Sequence, residues 1–429
     1  MNECKKSRWG YVAVTCLLNL LFLFVGLQWV FLIPYNRAPD ENNHFRYSVR
    51  LIMENHRLPV AGVDDVECFR NAASSYNKFP ALNYLTAAMG AGIAGRWGDA
   101  RAYLGARMVS LVWGLLFLNF LLAAAWRLSH RCLPSFMAVG TVVLIPQVIF
   151  ISSYVNADAF ALAVSGLLAW SVARLLQDTS RSNIWLFGAS VGLLLSAKLN
   201  FFIYLPWLGV GGLMLLAKRR INWRQAGEIA LAAMLMALLI SGGWYLRNYR
   251  LYGELLPLAP TPEWLASIGV ERPPQRAIIA PHLSWQALIE LVRRGFFNNS
   301  LSFFYARFGY GEVALSQVAY AILKFIAPSV ALLFTAAAWC TRDRTVRGAL
   351  LWLIGMALTN LGLFVIYAVC YDYQPQGRYL FPMLAPAAVW MAWAMGRHTS
   401  LLKFATPFLL LNGWLLWRSY WLLQSTYAP

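Results

Sequence analysis

From Tyr11 to Ile33 the chain runs 23 residues without a charged side chain, about 34 Å as a helix at ~1.5 Å per residue, enough to cross the ~30 Å apolar core of a bilayer. Comparable stretches recur at 104–126, 135–153, 157–176, 184–197, 199–217, 226–246, 316–340, 348–370, 379–395 and 404–422. The chain therefore reads as an all-α polytopic membrane protein with about eleven transmembrane helices in one domain, 1–429. Composition agrees, since 59% hydrophobic and 13% charged residues exclude an ordinary soluble fold. Lys5, Lys6 and Arg8 lead straight into the first apolar run with no cleavable signal pattern, so that helix is expected to stay as an anchor.

Charge sets the expected orientation. With the N-terminus cytoplasmic, the short loops at 127–134, 174–183, 217–225, 341–347 and 396–403 all fall inside, and they hold Arg127, Arg131, Arg174, Arg181, Lys218, Arg219, Arg220, Arg224, Arg342, Arg344, Arg347, Arg397 and Lys403. This requires that 79–95, short and rich in Gly and Ala, lie against the outer leaflet as a juxtamembrane or re-entrant helix. The C-terminus then ends outside. A net charge of +18 is met by basic loops facing anionic lipid, and no nucleic-acid-binding module is recognisable. The six cysteines show no ligand spacing, so neither zinc nor a disulfide framework is expected.

Two segments resist burial, 34–103 and 247–315, and both land on the outer face with most of the acidic residues. The first holds Pro39-Asp40-Glu41-Asn42-Asn43-His44-Phe45 just past the first span. Ionisable groups at a membrane mouth are costly and are kept mostly for function. Asp40 and Glu41 are candidate bases, although Asp40 also fits a helix N-cap, and His44 can orient a carboxylate, contact phosphate or simply hydrogen-bond. Lys78 can reach lipid headgroups or snorkel; Arg101 and Arg107 stand on the side where the positive-inside tendency would not put them, which favours phosphate. Asn156 and Asp158 begin a span, with a helix cap as the leading reading. Lys198 interrupts an apolar stretch and needs an anionic partner, which a lipid phosphate would supply. Arg247 and Asn248 close another span, as phosphate or sugar ligands or as interfacial anchors. In the turn Asp372 to Tyr379, Gln376, Arg378 and Tyr379 are polar, and Arg378 opposes the dipole of the helix it starts, which calls for an anion or carboxylate partner. In the second outer segment, Pro257 to Pro281 break any long helix before an amphipathic pattern from Leu283 to Phe297 that suits the interface plane.

Three runs together carry a family likeness: Pro-Asp-Glu-x-x-His-Phe at 39–45, Arg-Asn-x-x-x-Tyr-Gly at 247–253 and Gln-Gly-Arg-Tyr-x-x-Pro at 376–382. They resemble the DUF2142-like bacterial membrane proteins grouped with the GT-C glycosyltransferases and, more distantly, protein O-mannosyltransferases and aminoarabinose transferases. The resemblance implies a GT-C-type fold in the bacterial inner membrane, a polyprenyl-phosphate-linked sugar donor, and an active site facing outward with Asp40 or Glu41 as general base. It also allows a divalent cation, Mg or Mn, for which only Asp40, Glu41 and His44 offer ligands. Some relatives carry a soluble domain after the spans, so here acceptor recognition is expected from the loops or a partner, the acceptor being a glycan, lipid or protein.

Two other classes remain open, a lipid-linked oligosaccharide flippase or transporter and an O-antigen ligase or polymerase. A transporter predicts ionisable groups paired at mid-membrane. The candidates here sit at the outer ends of helices.

Overall fold

The computed structural model describes residues 2–68, 75–257, 266, 267, 269 and 278–428. Each of the eleven apolar segments is helical over most of its length, and apart from the two-residue strands Arg307–Phe308 and Val313–Ala314 the described residues form no sheet. Among the described residues eight helices are long and apolar enough to cross a membrane: Trp9–Leu32, Asp99–Ser129, Asp158–Leu175, Leu199–Ala217, Trp223–Tyr252, Gln317–Cys340, Arg344–Cys370 and Gly377–Arg397. The other three segments depart from the expectation for physical reasons. Segment 135–153 is two pieces, Cys132–Val143 and Pro146–Ile151, because Pro146 cannot donate into a continuing helix and starts a new one. Segment 184–197 lies in the 15-residue helix Arg181–Leu195. Segment 404–422 lies in Leu402–Tyr427, which at 26 residues is long enough but carries Lys403, Asn412, Arg418 and Ser419.

The ambiguous stretch 79–95 is the 14-residue helix Leu82–Gly95, about 21 Å long and too short to span. It packs on Ala102–Ser129, and the two backbones approach so closely at Gly90 and Gly105 that a Cβ on either would strike the other's carbonyl.

Ala102–Ser129 is the pivot of the molecule, in contact with Asp158–Leu175, Leu384–Arg397 and the first helix Asn2–Leu32. Phe117, Leu118, Leu121 and Leu122 on it are fully buried. Asn19 and Asn119 donate reciprocally to each other's amide oxygens at 3.1 and 2.8 Å, a polar tie between two apolar helices. Peripheral helices instead turn Leu238, Leu239, Phe325, Leu332 and Leu358 outward, as helix surfaces against lipid do.

Segments 34–103 and 247–315 are less loop-like than the sequence suggests. Trp223–Tyr252 runs through residue 247, so Arg247 and Asn248 stand on its last turns. The proline-rich stretch of the second segment lies mostly outside the described residues. Beyond it, the Trp285–Arg293 helix buries Ala287 and Leu291 and exposes Trp285, Ile289 and Val292, a face suited to the membrane interface.

Candidate active site

The chain leaves the first helix at Ile33 and turns through Asn36 and Asp40, both in the left-handed backbone region (φ 63° and 59°). Such conformations strain a residue with a side chain, less so Asn and Asp, and cluster at functional sites. Asp40 occupies the N-cap of the short helix Glu41–His44, yet its carboxylate makes no capping hydrogen bond. Its backbone N–H donates to the Tyr310 hydroxyl at 3.2 Å, while the side chain stays 31% exposed.

Adjacent in sequence, Glu41 has the opposite fate. Its side chain is 0% exposed and meets Arg107 in a two-pronged pair, Nε to Oε1 at 2.6 Å and Nη2 to Oε2 at 2.7 Å. The backbone N–H of Asn36 donates to Oε2 at 3.0 Å. Arg107 spends its remaining donors on the carbonyls of Val30, Ile33 and Pro34 at 2.7, 2.7 and 3.3 Å. Those carbonyls include the unpaired end of the first helix, where a cation is favoured by the helix dipole. Glu41 and Arg107 are thus closed on each other. Arg101 is exposed on the turn Asp99–Arg101, outside this network.

His44 is buried, with Nδ1 sharing a 2.8 Å hydrogen bond with the Tyr84 hydroxyl and its ring centroid 3.9 Å from that of Tyr76. Burial pushes its pKa down to about 3, below the ~6.5 of an unfolded histidine. The folded state therefore keeps its full stability above pH 6.5 and loses it as pH falls, at about 1.4 kcal/mol per pH unit for one proton. At pH 5 the loss is about 2 kcal/mol. Thermal unfolding of the purified protein should show a clear drop in Tm between pH 7 and pH 5 that is largely absent in His44→Gln; equal drops in the two proteins would refute it.

The centre of the site is Arg378. Its turn is held where it is by Gly377: a Cβ there would drive into the Ser300 carbonyl and the Phe304 amide of the Phe296–Tyr305 helix. Arg378 Nε donates to Gln376 Oε1 at 2.7 Å, Nη1 to the Tyr154 hydroxyl at 3.2 Å and to Asp158 Oδ2 at 3.4 Å, and Nη2 lies 3.6 Å from Asp40 Oδ2. Lys198 Nζ donates to both Asp158 oxygens, at 2.8 and 3.0 Å, and sits 5.3 Å above the Tyr379 ring. The anionic partner that Lys198 and Arg378 require is thus Asp158, with Asp40 as a second for Arg378. Two cations face two carboxylates, so the cluster is balanced in charge.

Asn156 serves as the cap expected of it, its Oδ1 accepting from the backbone of Asp158 and Ala159 at 2.7 and 3.0 Å. Its carbonyl accepts from Asn83 Nδ2 at 3.0 Å, which ties the Leu82–Gly95 helix to this turn.

Lys78, Arg247 and Asn248 form a second group. Asn248 Nδ2 donates to the Lys78 carbonyl at 3.3 Å, and Arg247 Nη2 donates to the carbonyls of Leu58 and Pro59 at 3.3 and 2.7 Å. Arg247 feels the charge of Asp64, which is itself paired with Arg57, and its buried Nη1 makes no hydrogen bond among the described residues. A five-residue π-helical stretch, Leu238–Gly242, precedes Arg247, and a six-residue one, Phe45–Arg50, follows Asp40; such insertions are frequent at functional sites.

The sequence reading missed Tyr154, Tyr310 and Gln147. Tyr154 and Gln147 lie at the end of what reads as one apolar span, where Pro146 followed by Gln147 is the available signal of a break. Tyr310 sits between Gly309 and Gly311 at the tip of the small hairpin, a turn signature not weighed.

No three His, Cys, Asp or Glu side chains converge as a metal site among the described residues. Of the ligands allowed for Mg or Mn, Glu41 is spent on Arg107 and His44 on Tyr84, while Arg378 lies beside Asp40 where a cation would sit. The donor set does not fit a divalent ion.

The helical fold is that of the GT-C membrane glycosyltransferases. ArnT from Cupriavidus metallidurans in the apo state superposes at a TM-score of 0.51 and 14% identity, covering 95% of this chain and 77% of that one. An oligosaccharyltransferase from Archaeoglobus fulgidus gives 0.54 and 13%, over 97% of this chain and 56% of that one. ArnT bound to undecaprenyl phosphate gives 0.50 and 15%, covering 88% of this chain and 60% of that one. The chain therefore spans somewhat over half the length of two of these structures. In sequence it belongs to the family described as "Predicted membrane protein (DUF2142)", whose model matches residues 64–387. No curated protein matches it.

Proposed function

We propose that this protein is a glycosyltransferase that moves a sugar from a polyprenyl-phosphate-linked donor to an acceptor hydroxyl at the outer face of the bacterial inner membrane, with its N-terminus cytoplasmic. Asp40 carries this reading: it is an acidic side chain left uncapped, partly open to solvent and held beside a buried arginine. As general base, one Asp40 carboxylate oxygen takes the acceptor hydroxyl proton. The acceptor oxygen forms its bond to the anomeric carbon while the bond from that carbon to the donor phosphate oxygen breaks, and polyprenyl phosphate leaves with the electron pair. A single displacement inverts the anomeric centre. Arg378 orients Asp40, and Asp158, Lys198 and Tyr154 position Arg378.

The departing phosphate needs cations that are not already neutralised. Arg378 and Lys198 are matched by Asp40 and Asp158, and Arg107 by Glu41. Arg247, with an unused donor, suits that task.

The test is to incubate purified protein with polyprenyl-phosphate sugars and a pool of envelope glycans, lipids and proteins, and to follow free polyprenyl phosphate. Release is expected, and Arg247→Ala should raise the donor KM by about 10- to 100-fold, the worth of one charge-assisted hydrogen bond. Translocation of a lipid-linked sugar across vesicles without release would favour the flippase reading instead.

A further inference from the structure

Beside Asp40 lies a small cleft of about 60 Å³ lined by Pro39, Gln147, Phe303, Gly309, Tyr310, Gln376 and Arg378. Gln147 is the unexplained member. It is the second residue of the Pro146–Ile151 helix, between Pro146 and Val148 on an otherwise apolar element, and it is only 4% exposed. Its Oε1 is buried without a hydrogen-bond partner. A buried polar atom left unmet costs about 1–3 kcal/mol, which a ligand donor can recover.

The surroundings indicate what such a ligand is. Gln376 Oε1 is taken by Arg378, and the Arg378 charge is offset by Asp158 and Asp40. The cleft therefore presents neutral hydrogen-bonding groups between two aromatic side chains, Phe303 and Tyr310, and no spare positive charge for a phosphate. Its volume holds a few hydroxyl-sized groups. That suits the hydroxyl-bearing edge of a sugar ring, and neither a lipid chain nor a phosphate headgroup. Pro39 and Tyr310 are also the covalent and hydrogen-bonded neighbours of Asp40.

We infer that this cleft is an acceptor subsite for a carbohydrate, in which Gln147 Oε1 accepts a hydrogen bond from one acceptor hydroxyl and so positions a second hydroxyl at Asp40. Gln147 is a specificity-determining residue in this scheme, which rests on the transferase reading only in naming the occupant as acceptor.

Saturation-transfer NMR on the protein in lipid nanodiscs, free of sugar detergents, tests this with methyl glycosides of glucose, galactose, mannose and N-acetylglucosamine as probes. At least one should give a signal in the wild type that falls fivefold or more in Gln147→Leu, or in Gln147→Met if the leucine variant does not fold. No signal from any probe, or equal signals in wild type and variant, would mean the cleft holds water only and overturns the subsite. Adding a saturating polyprenyl-phosphate sugar should leave the signal in place; its displacement would assign the cleft to the donor sugar and overturn the acceptor assignment. Because the readout is binding, it stands apart from whether Asp40 is the base.

Discussion

Asp40→Asn is expected to lower the rate of sugar transfer by about 10²- to 10⁴-fold, the usual contribution of a positioned general base, while folding and membrane insertion persist. The stability part follows from the geometry. Asp40 makes no side-chain cap bond, is 31% exposed, and meets Arg378 at 3.6 Å, a distance at which little stabilisation is at stake. Arg378 keeps Tyr154, Gln376 and Asp158 in the variant, so its charge is not orphaned. An amide at position 40 preserves shape and hydrogen bonding but takes up no proton at neutral pH. Measured turnover should therefore collapse in kcat with the donor KM nearly unchanged, since the phosphate ligand proposed above is Arg247. A variant that is well folded and retains full turnover would remove Asp40 from the mechanism. Asp158→Asn offers a contrast: it strips Lys198 and Arg378 of their shared carboxylate and so disturbs the packing of the cluster as well as activity.

Much of this was legible before any coordinates. Apolar runs of sufficient length fix helices because the backbone in lipid has no other way to satisfy its polar groups, and the basic set in the later loops argued against 79–95 as a span. Arg378 opposing its helix dipole, and Lys198 interrupting an apolar stretch, both announced a buried anion. What could not be read was which anion. Asp158, Lys198 and Arg378 are separated by 40 and 220 residues in the chain, and pattern at one position says nothing of pairing at such distances. The same limit hid the difference between Asp40 and Glu41. They are adjacent, follow the same proline and carry the same chemistry, yet the left-handed turn at Asp40 sends one carboxylate toward Arg378 and the other into the protein. Gln147 was obscured because a single polar residue inside an apolar run is most simply read as part of a span, and only the break at Pro146 brings it to the cleft.

Glu41→Ala should damage the fold where Asp40→Asn damages only the reaction. Removing Glu41 leaves the Arg107 guanidinium 0% exposed with neutral carbonyls as its only partners. Breaking a buried ion pair on one side costs about 3–5 kcal/mol, a large share of the ~5–15 kcal/mol that holds a typical domain together. The loss falls at a junction, because Arg107 ties the end of the first helix to the Ala102–Ser129 helix and Glu41 ties the loop bearing Asp40 to both. Low yield of monodisperse protein and a sharply lowered Tm are expected, and Arg107→Ala should be worse, since it strands three carbonyls as well as the carboxylate. Glu41→Gln separates structure from chemistry: it keeps one acceptor for Arg107 but not the charge, so part of the protein should fold. Per folded molecule that variant should turn over within a few-fold of wild type. If it folds fully and transfers nothing, then Glu41 rather than Asp40 is the base, and the buried pair with Arg107 must open during the reaction.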